Sequence, residues 1–249
     1  MAFGDFVLQS DIDFEVRRGE IFFIIGDSGS GKSTLLRHLL GLIRPAAGEI
    51  RVGGSRVDPD DDATMRRYLD RIGVLYQAGA LFSSMTLSEN VELVLEQRTT
   101  LSGRERREIA ALKLALVGLA GFEEYLPSQI SGGMRKRAGL ARAIAMDPEL
   151  LYLDEPSAGL DPLSSRRLDE LILQLRDTLG MTVVIVSHEL ASIFAIGTDC
   201  IFLDSESRRP IGRGAPAALR DAADSEKVRR FLAREGGPRA VASTGLRPE

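Results

Sequence analysis

The residues Gly26-Asp27-Ser28-Gly29-Ser30-Gly31-Lys32-Ser33 have the spacing G-x-x-x-x-G-K-[ST]. Glycines let a tight loop turn its backbone N–H groups toward one anion, and a helix that starts at the lysine adds its positive end. Lys32 is then placed for the β- and γ-phosphates of a nucleotide, and the Ser33 hydroxyl for Mg²⁺. An acidic feature complements this loop. The apolar run Leu150-Leu151-Tyr152-Leu153 ends in Asp154-Glu155. Asp154 suits the carboxylate that orients Mg²⁺, and Glu155, aimed in another direction, suits a residue acting on the water that attacks the γ-phosphate. Taken alone, an Asp-Glu-Pro loop start with two solvated acids explains the pair equally well; the phosphate loop favours chemistry. His188 closes the β-branched run Val183-Val184-Ile185-Val186-Ser187. It belongs at the carboxyl edge of a sheet, where open α/β folds bind ligands. A neutral imidazole there can bond the γ-phosphate or the attacking water, whereas His38, inside a helix, reads as packing or solvent-facing.

Two more motifs extend the set. Gln77 follows the run Ile72-Gly73-Val74-Leu75-Tyr76, and Ser131-Gly132-Gly133 opens a basic helical stretch. A helix opening on Ser-Gly-Gly offers a second anion site. One triphosphate in one chain has little need of two such sites, but a head-to-tail dimer does; the alternative is a flexible Gly-Gly hinge. The basic clusters Arg104-Glu105-Arg106-Arg107, Arg135-Lys136-Arg137 and Arg208-Arg209 are short, and most of them read as solvated helix faces or loops.

These residues need a scaffold. Glu20 to Ile25 is a continuous apolar run, as in a buried strand, and Lys32 to Leu42 reads as a helix stopped by Gly41 and Pro45. Ile12 to Val16 alternates as a half-exposed strand does, and Glu49 to Val52 reads as another strand. Asp58 to Asp62 reads as a solvated acidic turn. Leu87 to Ala120 is helical with a break at Thr99 to Ser102, and Gly132 to Met146 is one more helix. Beyond these, strand and helix alternate: Leu150 to Leu153, Leu163 to Leu179, Thr182 to Ser187, Leu190 to Ile196, Cys200 to Leu203. That alternation predicts a mainly parallel sheet with helices on both faces. Glu226 to Arg234 reads as a last short helix.

The chain of 249 residues carries a net charge of −4 and has a pI near 5.5, so no overall field favours nucleic acid. A single cysteine, Cys200, excludes an intrachain disulfide and sits in an apolar run, as a buried small hydrophobe does. Met1-Ala2-Phe3-Gly4-Asp5 shows neither a basic n-region nor an apolar h-region, and no apolar run nears the roughly 20 residues that span a bilayer. These features predict a cytoplasmic protein; if it works at a membrane, a partner must carry the spans.

Together the five motifs resemble those of the ATP-binding subunit of ABC transporters, over about residues 3 to 234. The resemblance implies a P-loop NTPase ABC-type α/β core with a mainly parallel sheet, an antiparallel β subdomain and an inserted helical lobe. The domain would span 1–234 with the lobe at about 87–146, leaving 235–249 as a mobile tail. It implies ATP and Mg²⁺ as ligands. Gly26, Asp27, Ser28, Gly29, Ser30, Gly31, Lys32, Ser33 and Thr34 would hold the nucleotide, and Ser131, Gly132 and Gly133 would reach it from the opposite subunit. Ser33, Gln77 and Asp154 would serve the metal, and Glu155, His188 and Gln77 would serve catalysis. Ser157-Ala158-Gly159-Leu160-Asp161 matches the loop that touches the partner copy. Phe3, just before Gly4, stands where the family stacks an aromatic on adenine. It could equally be a strand residue covering core, and Phe6 is the weaker candidate. The family's first strand, normally ahead of that aromatic, is not seen in this sequence.

Met134 stands where transport ATPases usually carry Gln. The Mla-type, Mce-associated phospholipid transport ATPases share that departure, as they share Gln77-x-Gly79-Ala80-Leu81-Phe82 and Val228-Arg229-Arg230-Phe231-Leu232. That subgroup implies membrane permease subunits, an Mce-domain lipid-binding protein, in some cases a STAS-domain protein, and a peripheral place at the cytoplasmic face of the inner membrane. The run Gly79 to Phe82 would meet a permease helix or pack inside the lobe. A transporter ATPase for another cargo, such as amino acids, is the alternative.

Overall fold

The computed structural model describes residues 1–77 and 79–233. The first half of the chain contains β1 (Ala2–Phe3), β2 (Phe6–Val7), β3 (Ile21–Gly26), α1 (Lys32–Leu39), β4 (Arg51–Val52), β5 (Ser55–Arg56), α2 (Asp62–Leu69), β6 (Ile72–Leu75), α3 (Leu87–Arg98) and α4 (Gly103–Leu116). There follow α5 (Gly132–Ala143), β7 (Leu150–Asp154), α6 (Pro162–Leu179), β8 (Thr182–Val186), α7 (Leu190–Ile196), β9 (Asp199–Leu203), β10 (Pro210–Gly214), α8 (Pro216–Ala222) and α9 (Glu226–Ala233). Six strands form one sheet in the order β10-β9-β3-β8-β7-β6. β3, β6, β7, β8 and β9 run parallel, and β10 closes the edge antiparallel to β9.

The sheet is buried on both faces, and the two-residue period of a strand divides the core. Phe23 and Ile25 of β3, Leu151 and Leu153 of β7, and Val183 and Ile185 of β8 join the cluster that includes α3 to α6. Phe22 and Ile24, Tyr152, Val184 and Val186 face the other cluster, with Leu35, Leu36 and Leu39 of α1 and Tyr68 of α2. Burying each such large side chain is worth about 1.5–3 kcal/mol. The strand ends that carry the functional loops are therefore firmly anchored.

The helical lobe shares its core with the sheet: Leu87, Val91, Leu95, Ala110, Leu114 and Leu140 belong to the first cluster. The break expected at 99–102 is a pair of caps. Thr99 ends α3, its hydroxyl donating to the Leu95 carbonyl, and Ser102 opens α4 in a capping box with Glu105.

Several expected elements differ. Among the described residues no strand pairs with Ile12 to Val16, and it does not form the expected strand. Its alternation nevertheless holds, because Ile12, Phe14 and Val16 pack on the α1 side, Phe14 stacking on Phe22 at 5.0 Å. Among the described residues the antiparallel part is confined to the ribbons β1–β2 and β4–β5, each strand two residues long, besides the β10 edge. The acidic stretch at Asp58 to Asp62 is more than a solvated turn. Asp61 caps α2, accepting from the Ala63 and Thr64 N–H groups, and Asp62 begins the helix. α8 and β10 were not expected. The tail expected at 235–249 lies outside the described residues. His38 is buried, its Nδ1 2.8 Å from the Ile43 carbonyl, and Cys200 is buried with its thiol pushed up to about 12 by burial. Among the described residues no helix is long and apolar enough to cross a membrane.

Candidate nucleotide site

The phosphate loop leaves the carboxyl end of β3, at the centre of the sheet. At Gly26, with φ at 145°, a Cβ would stand 2.1 Å from the Leu203 carbonyl oxygen, so only glycine fits between β3 and β9. Gly31, with φ at 92°, caps α1 in the left-handed region. The first turn of α1 then carries the N–H groups of Lys32, Ser33 and Thr34, which a helix cannot pair internally. Lys32 Nζ lies across the loop, donating to the Gly26 and Asp27 carbonyls at 2.8 Å each. Burial lowers its pKa, while the nearby carboxylates of Glu155, Asp27 and Asp154 oppose that shift. The Ser30 hydroxyl is buried without a hydrogen-bond partner among the described residues.

Asp154 is the last residue of β7, two strands from β3. Burial raises its pKa, and adjacent Glu155 adds to the effect; Arg37, Lys136 and Lys32 oppose it. Its Oδ1 is buried and has no hydrogen-bond partner among the described residues. A carboxylate oxygen in that state, close to the phosphate loop, suits a hard cation. Among the described residues no group of three or more His, Cys, Asp or Glu could hold a metal. Mg²⁺ fits without one, because it is commonly bound by one or two carboxylates plus substrate phosphates. Glu155 turns away from the strand with φ at 47°, an uncommon conformation for a residue with a Cβ. Its N–H donates to the Val186 carbonyl at 2.8 Å. Its Oε1 is 2.8 Å from Nδ1 of His188, just beyond β8. The Glu155 side chain is 13% exposed and that of His188 66%, so the pair joins a sheltered carboxylate to an open imidazole.

The structure thus gathers the phosphate loop, Asp154, Glu155 and His188 at one edge of the sheet. Ser131-Gly132-Gly133 lies elsewhere. Ser131 caps α5, accepting from the Met134 N–H at 3.2 Å, and Gly133 lies near Leu160 and Ser164. Among the described residues no hydrogen bond joins these three to residues 26–34. Met134 packs partly buried against the core. Gln77 is exposed beyond β6. Phe3 and Phe6 are register partners in the β1–β2 ribbon and about half exposed; the Arg208 guanidinium covers the Phe6 ring at 4.7 Å. The ribbon reaches the phosphate loop, since a Cβ at Gly31 would meet Leu8 and Met1. Of the run Gly79 to Phe82, Leu81 packs on the core while Phe82 is 51% exposed. For Phe82 this counts against the alternative of packing inside the lobe.

Three residues at the site were not found from sequence. Gln9 is fully buried and its Nε2 ties the Ser30 carbonyl to that of Asp204. Lys227 of α9 clasps Asp27 of the phosphate loop at 2.8 Å together with Asp204. Burial works against the Asp204 carboxylate, yet Lys227 and Ser207 hold it far below its ordinary range. Lys136 is buried and donates to the carbonyls of Gln77 and Glu155. The basic cluster around it is therefore not a solvated face: Arg135 bonds the Ile130 carbonyl and Arg137 those of Val117 and Gly118. A signal did exist for these. Three consecutive helical residues point about 100° apart, so they cannot share one solvated face.

A glycine-rich loop opening a helix at the centre of a parallel sheet, with carboxylates on a neighbouring strand, defines a P-loop nucleotide-binding protein. Residues 9–158 match the ABC transporter family, and the chain belongs to that family. It is 41% identical over 189 residues to a Mycobacterium tuberculosis protein described as "Probable ribonucleotide transport ATP-binding protein mkl", a match covering 76% of this chain and 53% of that protein. The chain thus spans about half the length of that relative. It is 37% identical over 229 residues to the intermembrane phospholipid transport system ATP-binding protein MlaF of Escherichia coli, covering 92% of this chain and 84% of MlaF. Among solved structures it resembles the ATP-binding cassette MJ0796, a dimer in a post-hydrolysis state bound to ADP and Pi. That match has a TM-score of 0.75 and 32% identity, and covers 84% of this chain and 90% of that one.

Proposed function

We propose that this chain is the ATP-binding and hydrolysing subunit of an ABC transporter that moves phospholipid between membranes. The observation that carries the hydrolytic reading is the 2.8 Å pairing of Glu155 with His188 beside the phosphate loop. The N–H groups of the loop and of the α1 start would cradle the β- and γ-phosphates, with Lys32 leaving its loop carbonyls for them. Thr34 and the rest of Gly26 to Ser33 complete that cradle, and Phe3 would stack on adenine. Ser33, Gln77 and Asp154 would hold Mg²⁺. When bound, that ion offsets charge on the phosphates. Glu155 would orient the attacking water, with its own position held by His188, and His188 would offer its other nitrogen to the γ-phosphate.

Ser131, Gly132 and Gly133 lack a hydrogen-bonded link to their own phosphate loop, which supports a head-to-tail dimer in which they serve the partner's nucleotide. Residues 1–234 would form one ATPase domain with the lobe inserted at 87–146. The permease subunits would sit against the lobe, an Mce-domain protein and in some systems a STAS-domain protein would complete the complex, and the ATPase would lie at the cytoplasmic face of the inner membrane. The long match to MlaF supports phospholipid as cargo. The match to mkl favours a second reading, in which the same ATPase serves another solute such as a ribonucleotide; an amino acid remains the other cargo to test.

The test is reconstitution with the cognate permease in vesicles. Phospholipid, ribonucleotide and amino acid are offered separately, and ATPase stimulation and movement of labelled cargo are followed. Stimulation by phospholipid with ATP-dependent lipid movement supports the lipid reading. Stimulation by a soluble solute without lipid movement refutes it and leaves the ATPase reading standing. No hydrolysis under any of these conditions refutes the ATPase reading itself.

A further inference from the structure

Helix α5 bears two kinds of contact. Its exposed start holds Ser131 and Gly132, while Lys136, little more than one turn along, is only 8% exposed. Lys136 Nζ donates to the carbonyl of Gln77 and, at 3.3 Å, to that of Glu155. Those carbonyls lie just past the ends of β6 and β7. Arg142, further along α5, also holds the loop after β6, through the carbonyls of Gly79 and Ala80. Lys136 differs in that one ammonium spans both loops. A buried ammonium needs such partners, because leaving it unpaired is costly. The peptide it holds belongs to Glu155, whose φ of 47° needs external support to persist.

We propose that Lys136 is a positioning residue that locks the Glu155 peptide and the Gln77 loop to α5, so that movement of the α5 start by a partner's nucleotide is felt at the carboxylate of its own site. The proposal rests on the ATPase reading above and extends it. Lys136 Nζ bonds backbone carbonyls and acts through them. A rigid helix is the connecting element. Its first residues face the other subunit in the proposed dimer, and Lys136 ties its second turn to the strand ends.

The test uses the full chain with Lys136→Met, which keeps length and removes the donor, and Lys136→Arg, which keeps a donor and charge. In steady-state hydrolysis, Lys136→Met should lower kcat at least tenfold with KM for ATP changed less than threefold, and should bring the Hill coefficient for ATP toward 1. Lys136→Arg should restore most of kcat. A second readout does not depend on activity. The chain has two histidines, so imidazole NMR signals can be assigned by Phe or Gln replacement. At fixed pH, Lys136→Met should shift the His188 signals, because the Glu155 carboxylate beside it moves, and leave those of buried His38 in place. Unchanged kcat, Hill coefficient and His188 signals in Lys136→Met would overturn the proposal. So would equal losses of kcat and of thermal stability in both variants, which is the pattern of a packing residue. If Lys136→Met does not fold, Lys136→Leu, which also lacks a donor, takes its place in both measurements. If the wild-type chain hydrolyses no ATP, the functional reading fails, while the His188 signals still decide whether Lys136 positions Glu155.

Discussion

Replacing Glu155 with glutamine changes one oxygen to an amide and little else. The residue's place is set by its backbone, whose N–H donates to Val186 and whose carbonyl accepts from Lys136. Neither bond involves the side chain. The amide oxygen can still accept from His188 Nδ1. What is lost is the carboxylate proposed to orient the attacking water, and positioned acid–base groups contribute about 10²–10⁴-fold, or roughly 3–5 kcal/mol of barrier. ATP binding should not fall with it. Adjacent Glu155 is one of the causes that hold Asp154 above its ordinary pKa, so the neutral amide lets Asp154 ionise more readily. The variant should therefore bind MgATP at least as tightly as wild type while phosphate release in a single turnover slows by two to four orders of magnitude. A fluorescent ATP analogue titrated in parallel with rapid-quench phosphate assays gives both quantities. A loss of rate below tenfold would remove Glu155 from the chemistry. A matching loss of ATP affinity would make it a binding residue instead.

Three further outcomes are expected. Lys32→Ala and Ser131→Arg should each be inactive alone, yet mixing the two chains should restore measurable ATPase, since a mixed dimer contains one undamaged site; no recovery and no ATP-dependent dimer on size exclusion would count against shared sites. Phe82→Asp should melt within a few degrees of wild type, because the side chain is half exposed and its backbone is held by Asn90, but should fail to co-purify with the permease. Asp169 is buried against Ser192, and burial, with Glu189 and Glu170 adding to the effect, raises its pKa from 3.8 to about 6. The folded state thus binds the proton more tightly than the unfolded one, so this residue's contribution to stability falls as pH rises from about 4 to 6. Asp169→Asn should melt like wild type near pH 4 and above it at pH 7, and an unchanged difference across that range would refute the burial argument.

The strands that carry the site were legible because they are buried on both faces. β3, β7 and β8 each show four or five consecutive apolar residues, and the phosphate loop and carboxylates follow them directly. Edge and capping elements were not. β10 begins with a proline and contains two glycines, so it reads as a loop; an edge strand with a single neighbour tolerates both. The start of α2 was hidden because aspartate serves equally in a solvated turn and as a helix cap. Ile12 to Val16 kept its alternation but lacked a partner strand, which is a fact about distant chain. The same holds for Gln9, whose two carbonyl partners lie 21 and 195 residues away. No local pattern encodes such contacts. Lys136 was the exception, since helical geometry alone argued against its being solvated.

The left-handed backbone at Glu155 has a consequence for how this sequence can drift. A side chain there costs about 1–2 kcal/mol that glycine avoids, and asparagine largely avoids. Under selection for heat resistance alone, position 155 should move away from glutamate. Under selection for growth that depends on the transporter, it should stay. A mutant library passed through each filter separately would split at this codon, and the direction of the split would record that the fold tolerates this residue while the activity requires it.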